Sequence, residues 1–192
     1  MPATVPAGAP PAAEAQGPVL GPERFEPLAG LLAILLPGAG HVVLGERRRG
    51  VLIGAGVLGL FLGGMLIGGI DAIDRKEDPI WFIGQAMVGP VAFGVDYYHQ
   101  EFCKIREPAN IQSVHAKERY SYRSALPTEA RDPSGLPAVN APGARPPNSK
   151  SLGRMNELGT LFATIAGMLN LIVIIDAFYH ARAVAPRPGA AA

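Results

Sequence analysis

Four blocks of apolar residues, at 28–44, 51–70, 80–95 and 158–178, divide the chain, and its charge gathers in short clusters between them. The first block is 17 residues without a formal charge. As helix at roughly 1.5 Å per residue it spans about 25 Å, a little less than a hydrocarbon core of about 30 Å. Pro37 removes a helical hydrogen bond inside it, and Gly38 and Gly40 loosen the backbone beside it. The block therefore either crosses a bilayer with a kink or dips in and returns. The second block is a cleaner span, 20 residues without charge. The third is 16 residues, with Trp81 and Phe82 at one end and Tyr97 and Tyr98 just past the other. Between Trp81 and Tyr97 lies about 24 Å of helix, which suits two aromatic belts at the two headgroup levels. The fourth block is the strongest span, broken by one charge near its end.

Small residues recur at helical spacing on the second and fourth blocks. Gly54, Gly59, Gly63, Gly64 and Gly68 on one, and Gly159, Ala163 and Gly167 on the other, predict close backbone packing between these two helices. The remaining segments read as unstructured: the Ala/Pro-rich 1–27, the Pro-rich loop 107–153 and the tail 182–192. Residues 1–27 do not read as a signal peptide, because Glu23 and Glu26 flank Arg24 where a basic region is needed. The expected fold is an all-α integral membrane protein with four transmembrane helices, a disordered N-terminus and a long disordered loop. The alternative is three helices plus a re-entrant first segment.

Composition changes this picture little. Charged residues make up 17% of the chain against 24 Gly and 19 Pro, as apolar helices joined by Pro-rich segments require. A net charge of +1 favours neither nucleic acid nor an acidic substrate as a partner. The lone Cys103 excludes an intrachain disulfide. Lys and Arg near span ends set orientation. Arg47, Arg48 and Arg49 in the first turn, with Lys104, Arg106, Lys150 and Arg154 around the long loop, place both on the cytoplasmic side and the C-terminus outside.

The string Pro37-Gly38-Ala39-Gly40-His41-Val42-Val43-Leu44-Gly45 resembles the Pro-Gly-x-Gly-His/Gln-x-Tyr-x-Gly turn of small bacterial membrane proteins. It is similar to the hairpin of the two-transmembrane-helix domain family and to related domains of unknown function. The run from Asn170 to Asp176 resembles the Asn-to-Asp ending of such proteins, although Val42 and Val43 stand where aromatic residues are usual. The resemblance implies a membrane module of the bacterial inner membrane and supplies no active-site residues.

Few residues invite chemistry. The GxGxxG at 54–59 matches a dinucleotide-binding loop, but the helix after it is apolar all round and no second strand follows, so it reads as helix packing. Polar residues at membrane depth need partners, which makes His41, Asn170, Asp176 and His180 the polar candidates. Asp176 and His180, four apart, are expected to pair. Asp96, His99 and Cys103 share a helical face and could ligate a metal, though the bland interfacial reading is preferred. Arg47, Arg48 and Arg49 serve topology and could hold anionic lipid headgroups. No catalytic residue, cofactor or metal is expected. The bilayer is the expected partner, with a second copy or another membrane protein as a further one. The leading function is a non-enzymatic module that packs helices or partners, and the alternative is a small transporter or channel subunit using its intramembrane polar residues.

Overall fold

A computed structural model describes residues 19–20, 22–108, 120–126, 128–139, 146, 151, 154–181 and 183–184 of the protein. In chain order its elements are β1 (Val19–Leu20), β2 (Arg24–Phe25), α1 (Pro27–Leu35), α2 (Ala39–Val43), α3 (Arg47–Gly68), α4 (Pro79–Ala86), α5 (Pro90–Tyr98), β3 (Ile105–Pro108), β4 (Tyr120–Arg123), β5 (Glu129–Arg131), β6 (Pro137–Val139), α6 (Met155–Phe178), β7 (Tyr179–His180) and β8 (Ala183–Val184). A short 3-10 turn, Ile70–Ala72, follows α3, and a π turn, His99–Cys103, extends α5.

Two helices, α3 and α6, are long and apolar enough to cross a membrane. They run antiparallel. Gly68 lies against Gly159 and the Asn156 carbonyl at one end, while the Arg49 guanidinium reaches Asp176 at the other (2.7 Å). The close approach needs glycine. A Cβ on Gly159 would sit 2.5 Å from the Gly64 carbonyl oxygen, and one on Gly64 would sit 2.7 Å from the Gly159 oxygen. Gly54 and Gly68 meet neighbouring backbone in the same way, and Gly167 is pressed on the Gly84 carbonyl of α4. Ala163 is fully buried in the same seam. Gly59 and Gly63 depart from the expected ladder: among the described residues nothing lies within 4 Å of the Cβ either would carry. A small-xxx-small spacing marks several faces of a helix, and α6 covers only one of them.

The first and third apolar blocks each fold back, so neither forms a helix long enough to span a membrane, and four spans are not seen among the described residues. In the first, Leu36 is extended (φ −147°, ψ 122°), as the residue before a proline prefers. Gly38 then takes φ +81°, which glycine adopts without Cβ strain. The chain reverses, and α2 runs back beside α1 until Gly40 touches the Ala29 carbonyl. This is the re-entrant alternative for that block. In the third, Gly89 at φ +106° and Pro90 at the first position of α5 break the helix after Ala86. Phe82 of α4 meets Phe93 of α5 edge-on at 5.4 Å, and the Arg75 amide donates to Asp96 Oδ1 (2.9 Å). The end of α5 is thus back where α4 begins. Trp81 and Tyr97 lie at the same end and do not form opposed belts. Sixteen apolar residues meet the length requirement of a short span, but the Gly-Pro break turns them into two half-length helices.

This reversal sets which features share an end of the molecule. The β2–β7 pairing (Arg24 opposite His180) joins the N-terminal segment to the end of α6, beside the Arg47 to Arg49 cluster. The connector at 69–78, the strands β3 to β6 and the start of α6 lie at the opposite end. The arginine cluster and the long loop therefore do not share an end, and the C-terminal end of α6 joins the cluster. Within the loop expected to lack structure, β3 pairs with β4 and β5 with β6, clasped by Arg123 on Glu107 and Glu129. Most of 1–27 and 182–192 and the remainder of 107–153 lie outside the described residues.

The core lies along α6. Val57, Phe61, Ile73, Phe82, Val88, Ala92, Ala163 and Ala166 form one apolar cluster, and Ala29, Ala33, Ile174 and Ala177 a second. Between and beyond them the interior is polar, with His41, Asp74, Gln85, His99, Lys104 and Asn170 all at most 1% exposed. The outside is the reverse: Leu52, Leu66, Ile80, Ile83 and Ile172 are open.

Candidate functional site

Three polar groups are arranged along the inward face of α6, one at each end and one between. The middle group is built on Asn170. Its Nδ2 donates to the Met87 carbonyl (2.8 Å) and the Ala33 carbonyl (3.4 Å). These carbonyls belong to the C-terminal ends of α4 and α1, which lack onward helical donors and carry the negative end of each helix dipole. The two half-length helices enter from opposite ends of the α3/α6 pair and meet at one amide. Gly89 of one turn is pressed directly on the Ile34 carbonyl of the other. Asn170 Oδ1 is buried with no hydrogen-bond partner among the described residues.

At the arginine end, His41 Nε2–H donates to Asp176 Oδ2 (2.7 Å), and Arg49 donates to the same oxygen (2.7 Å). His41 is fully buried, and its Nδ1 has no hydrogen-bond partner among the described residues. The glycine turn thus delivers its histidine to the polar end of α6. The expected Asp176 to His180 pair does not form. His180 instead faces Glu46 at 3.6 Å and stands edge-on to His41. Arg49 is engaged by Glu46 and Asp176, whereas Arg47 and Arg48 are exposed and line, with Gly45, Leu52 and Ile53, a hollow of about 630 Å³.

At the other end Asp71, Asp74, Asp96, His99, Gln100 and Lys104 are all buried. Asp74 Oδ1 accepts from the Lys76 and Glu77 amides (2.8 and 3.1 Å) and from Gln100 Nε2 (2.8 Å), while its Oδ2 takes the Lys104 ammonium. Burial acts to raise the Asp74 pKa. Lys104 and the two amides outweigh it and hold the carboxyl below its ordinary range. Lys104 also donates to Glu77 (2.9 Å). His99 Nε2 lies 3.6 Å from Asp71 Oδ1 and His99 Nδ1 lies 3.8 Å from Asp74 Oδ2.

The metal face drawn from Asp96, His99 and Cys103 comes apart in the structure. Asp96 accepts from Arg75 and Gln100, His99 turns to Asp71 and Asp74, and Cys103 is outside the cluster that could hold an ion. Sequence reasoning passed over Asp71, Asp74, Gln85 and Lys104. A charged connector between apolar blocks is ordinarily solvated, and only the return of α5 brings His99 and Lys104 over it. The GxGxxG lies inside an unbroken stretch of α3, where no phosphate-cradling turn exists.

A family model described as "Family of unknown function (DUF6677)" matches residues 28–188. The chain belongs to this family. The match takes in all six helices, both folded-back pairs and the described strands between them. A family of unknown function agrees with the related domains of unknown function that the glycine turn resembles. No curated protein and no solved structure matches the chain.

Proposed function

We propose that the protein is an integral membrane protein that carries protons or small cations across a bilayer, as a small transporter or channel subunit without catalytic chemistry. The carrying observation is the meeting of the α1 and α4 carbonyl ends at Asn170, between titratable groups at both ends of α6. Broken helices at membrane depth occur where the freed backbone is buried in protein or lines a polar path. Half-helix C-terminal ends suit cations there. Membrane insertion is supported by the inverted distribution of polarity, since a buried Lys, three buried His and an Asn inside with Leu and Ile outside is what lipid demands and water opposes.

Sidedness follows from counting. Of the 17 Lys and Arg, eleven fall in the sequence of the connector, the long loop and their flanks (75, 76, 104, 106, 117, 119, 123, 131, 145, 150, 154) and six in the N-terminal segment, the first turn and the C-terminal tail (24, 47, 48, 49, 182, 187). The rule that cytoplasmic loops carry the excess puts the long loop in the cytoplasm and both termini outside. Arg47 and Arg48, over their hollow, are then placed to hold anionic headgroups of the outer leaflet.

The test is flux. Purified protein in liposomes loaded with a pH-sensitive dye is challenged with a pH gradient under a potassium diffusion potential. Proton entry is expected above the rate of empty liposomes, and Asp176→Asn is expected to remove it. Wild-type protein, folded by circular dichroism, that gives no flux of protons, Na⁺ or K⁺ overturns the proposal.

One observation favours the second reading, a module that packs against a copy of itself. Gly56, Gly59 and Gly63 make an outward strip on α3 with nothing within 4 Å among the described residues. This strip would let a second α3 approach closely. Cysteines placed at 56 or 59 on a Cys103→Ser background should cross-link between copies in native membranes, and their failure to do so removes this reading.

A further inference from the structure

We propose that Asp71, Asp74 and His99 form a binding site for one divalent transition-metal ion of the Mn²⁺, Fe²⁺ or Zn²⁺ class. The three residues come from the turn after α3 and from the end of α5, and the fold-back of α5 alone brings them together. Each offers one ligand atom, and these atoms lie within 4.8 Å of one another.

His99 makes this cluster different from an ordinary acidic patch. It is 1% exposed, and neither ring nitrogen has a hydrogen-bond partner among the described residues. Both nitrogens nevertheless face carboxylate oxygens, at 3.6 and 3.8 Å. These separations are too long for hydrogen bonds. One ion can take only one of the two nitrogens; the edge from that nitrogen to its facing carboxylate is close to the roughly 3.4 Å that bonds of about 2.1 Å in a tetrahedral site produce, and the other carboxylate, within 4.8 Å, must swing in to complete the set. The same neighbourhood has surplus acceptors. Gln100 donates its amide to Asp74 and Asp96, which leaves its Oε1 buried and without a donor among the described residues, and Gln85 Oε1, near the end of α4, is in the same position. Lys104 keeps Glu77 as its partner at 2.9 Å when Asp74 turns to the metal. One imidazole nitrogen with two carboxylates suits first-row transition metals over Mg²⁺ and Ca²⁺, which take oxygen-only shells. The cluster is also the titratable group that the proposed function places at this end of α6, and ion retention tests it without reference to flux.

The experiment uses full-length protein purified in detergent and stripped with EDTA. After incubation with Mn²⁺ or Zn²⁺ and gel filtration, elemental analysis is expected to find one ion per chain. His99→Gln and Asp71→Asn should each weaken binding at least tenfold, while Glu157→Gln, exposed on α6, should leave it unchanged. If either cluster variant loses its helical circular dichroism, pulsed EPR on the wild type with Mn²⁺ decides, since coupling to an imidazole nitrogen is expected. Wild-type protein that retains no ion, binding unchanged in folded His99→Gln, or an EPR signal without nitrogen coupling overturns the site. A His99 ring that titrates with pH in protein retaining no metal overturns it in favour of a proton shared with the carboxylates.

Discussion

Gly159 and Gly63 belong to the same kind of sequence spacing, and the structure assigns them opposite responses to an added methyl group. A Cβ on Gly159 would lie 2.5 Å from both the Gly64 oxygen and the Gly68 Cα, and 2.6 Å from the Gly68 nitrogen. All three are backbone atoms, so no side chain can rotate away. To restore an ordinary contact α3 and α6 must part by roughly 0.5 to 1 Å, a gap that forfeits about a quarter to a half of the dispersion energy at each facing contact. Overpacking of this kind typically costs about 1–3 kcal/mol. With α6 also carrying the two half-helix pairs, Gly159→Ala is expected at or above the top of that range. Gly63→Ala meets nothing within 4 Å among the described residues, and it should gain the roughly 0.5–1 kcal/mol by which alanine exceeds glycine inside a helix. The assay is unfolding of detergent-solubilised protein with increasing SDS, followed by circular dichroism. The two variants should move the midpoint in opposite directions. Equal destabilisation by both would refute the seam described here, and a harmless Gly159→Ala would refute it more directly.

Three further outcomes follow from other parts of the fold. Asn170→Leu removes the donor shared by the Met87 and Ala33 carbonyls; at about 1–3 kcal/mol for each acceptor left unsatisfied, a loss of about 2–5 kcal/mol is expected in the same SDS titration, and a loss below 1 kcal/mol would show that the amide does not join the two turns. Gly89→Ala forces a Cβ into φ +106° and onto the Ile34 carbonyl, so about 1–3 kcal/mol of backbone strain adds to a clash, and labelling of a cysteine at Val88 should rise as the α4–α5 turn loosens; unaltered labelling counts against the fold-back. The Glu129 carboxyl is held at about 2, against an ordinary 4.5, by Arg123 and then by the Leu126 amide. A depressed carboxylate stabilises fully above 4.5 and loses that contribution as pH falls toward 2, so protection of the β5–β6 amides, corrected for intrinsic exchange, should hold at pH 6 and decline between 4.5 and 2. Protection that is flat across that window would refute the Arg123 clasp.

Much of the candidate site could be named from residue types, but little of its pairing could. His41, Asn170 and Asp176 stood out because polar groups in apolar blocks need partners. Their positions on α6 are simple helix arithmetic, yet His41 is 135 residues from the carboxylate it meets. Asp176 and His180 were expected to pair because they are helical neighbours at i and i+4, a rule that holds while the helix continues. Here α6 ends at Phe178, and Tyr179 and His180 peel off to pair with Phe25 and Arg24. Asp71, Asp74 and Lys104 escaped notice because charges between apolar blocks ordinarily face water, and only the neighbouring chain shows whether they do.

The amino-acid order is sufficient to determine where helix can and cannot form: apolar runs free of charge, Pro37-Gly38 and Gly89-Pro90 as breaks, and glycines wherever a neighbour comes close. These are local properties, since a proline's missing N–H and a glycine's missing Cβ act within a turn of their own position. Whether each break is a kink in a crossing or a reversal is not local. That outcome depends on what receives the freed carbonyls, and in this protein Asn170 of a distant helix receives one from each broken pair. The same holds for the glycines, because spacing marks several possible seams and only the partner's position selects one. The ends of the molecule, the arginine cluster's neighbours and the buried group at Asp71, Asp74 and His99 are all consequences of that choice of reversal over crossing.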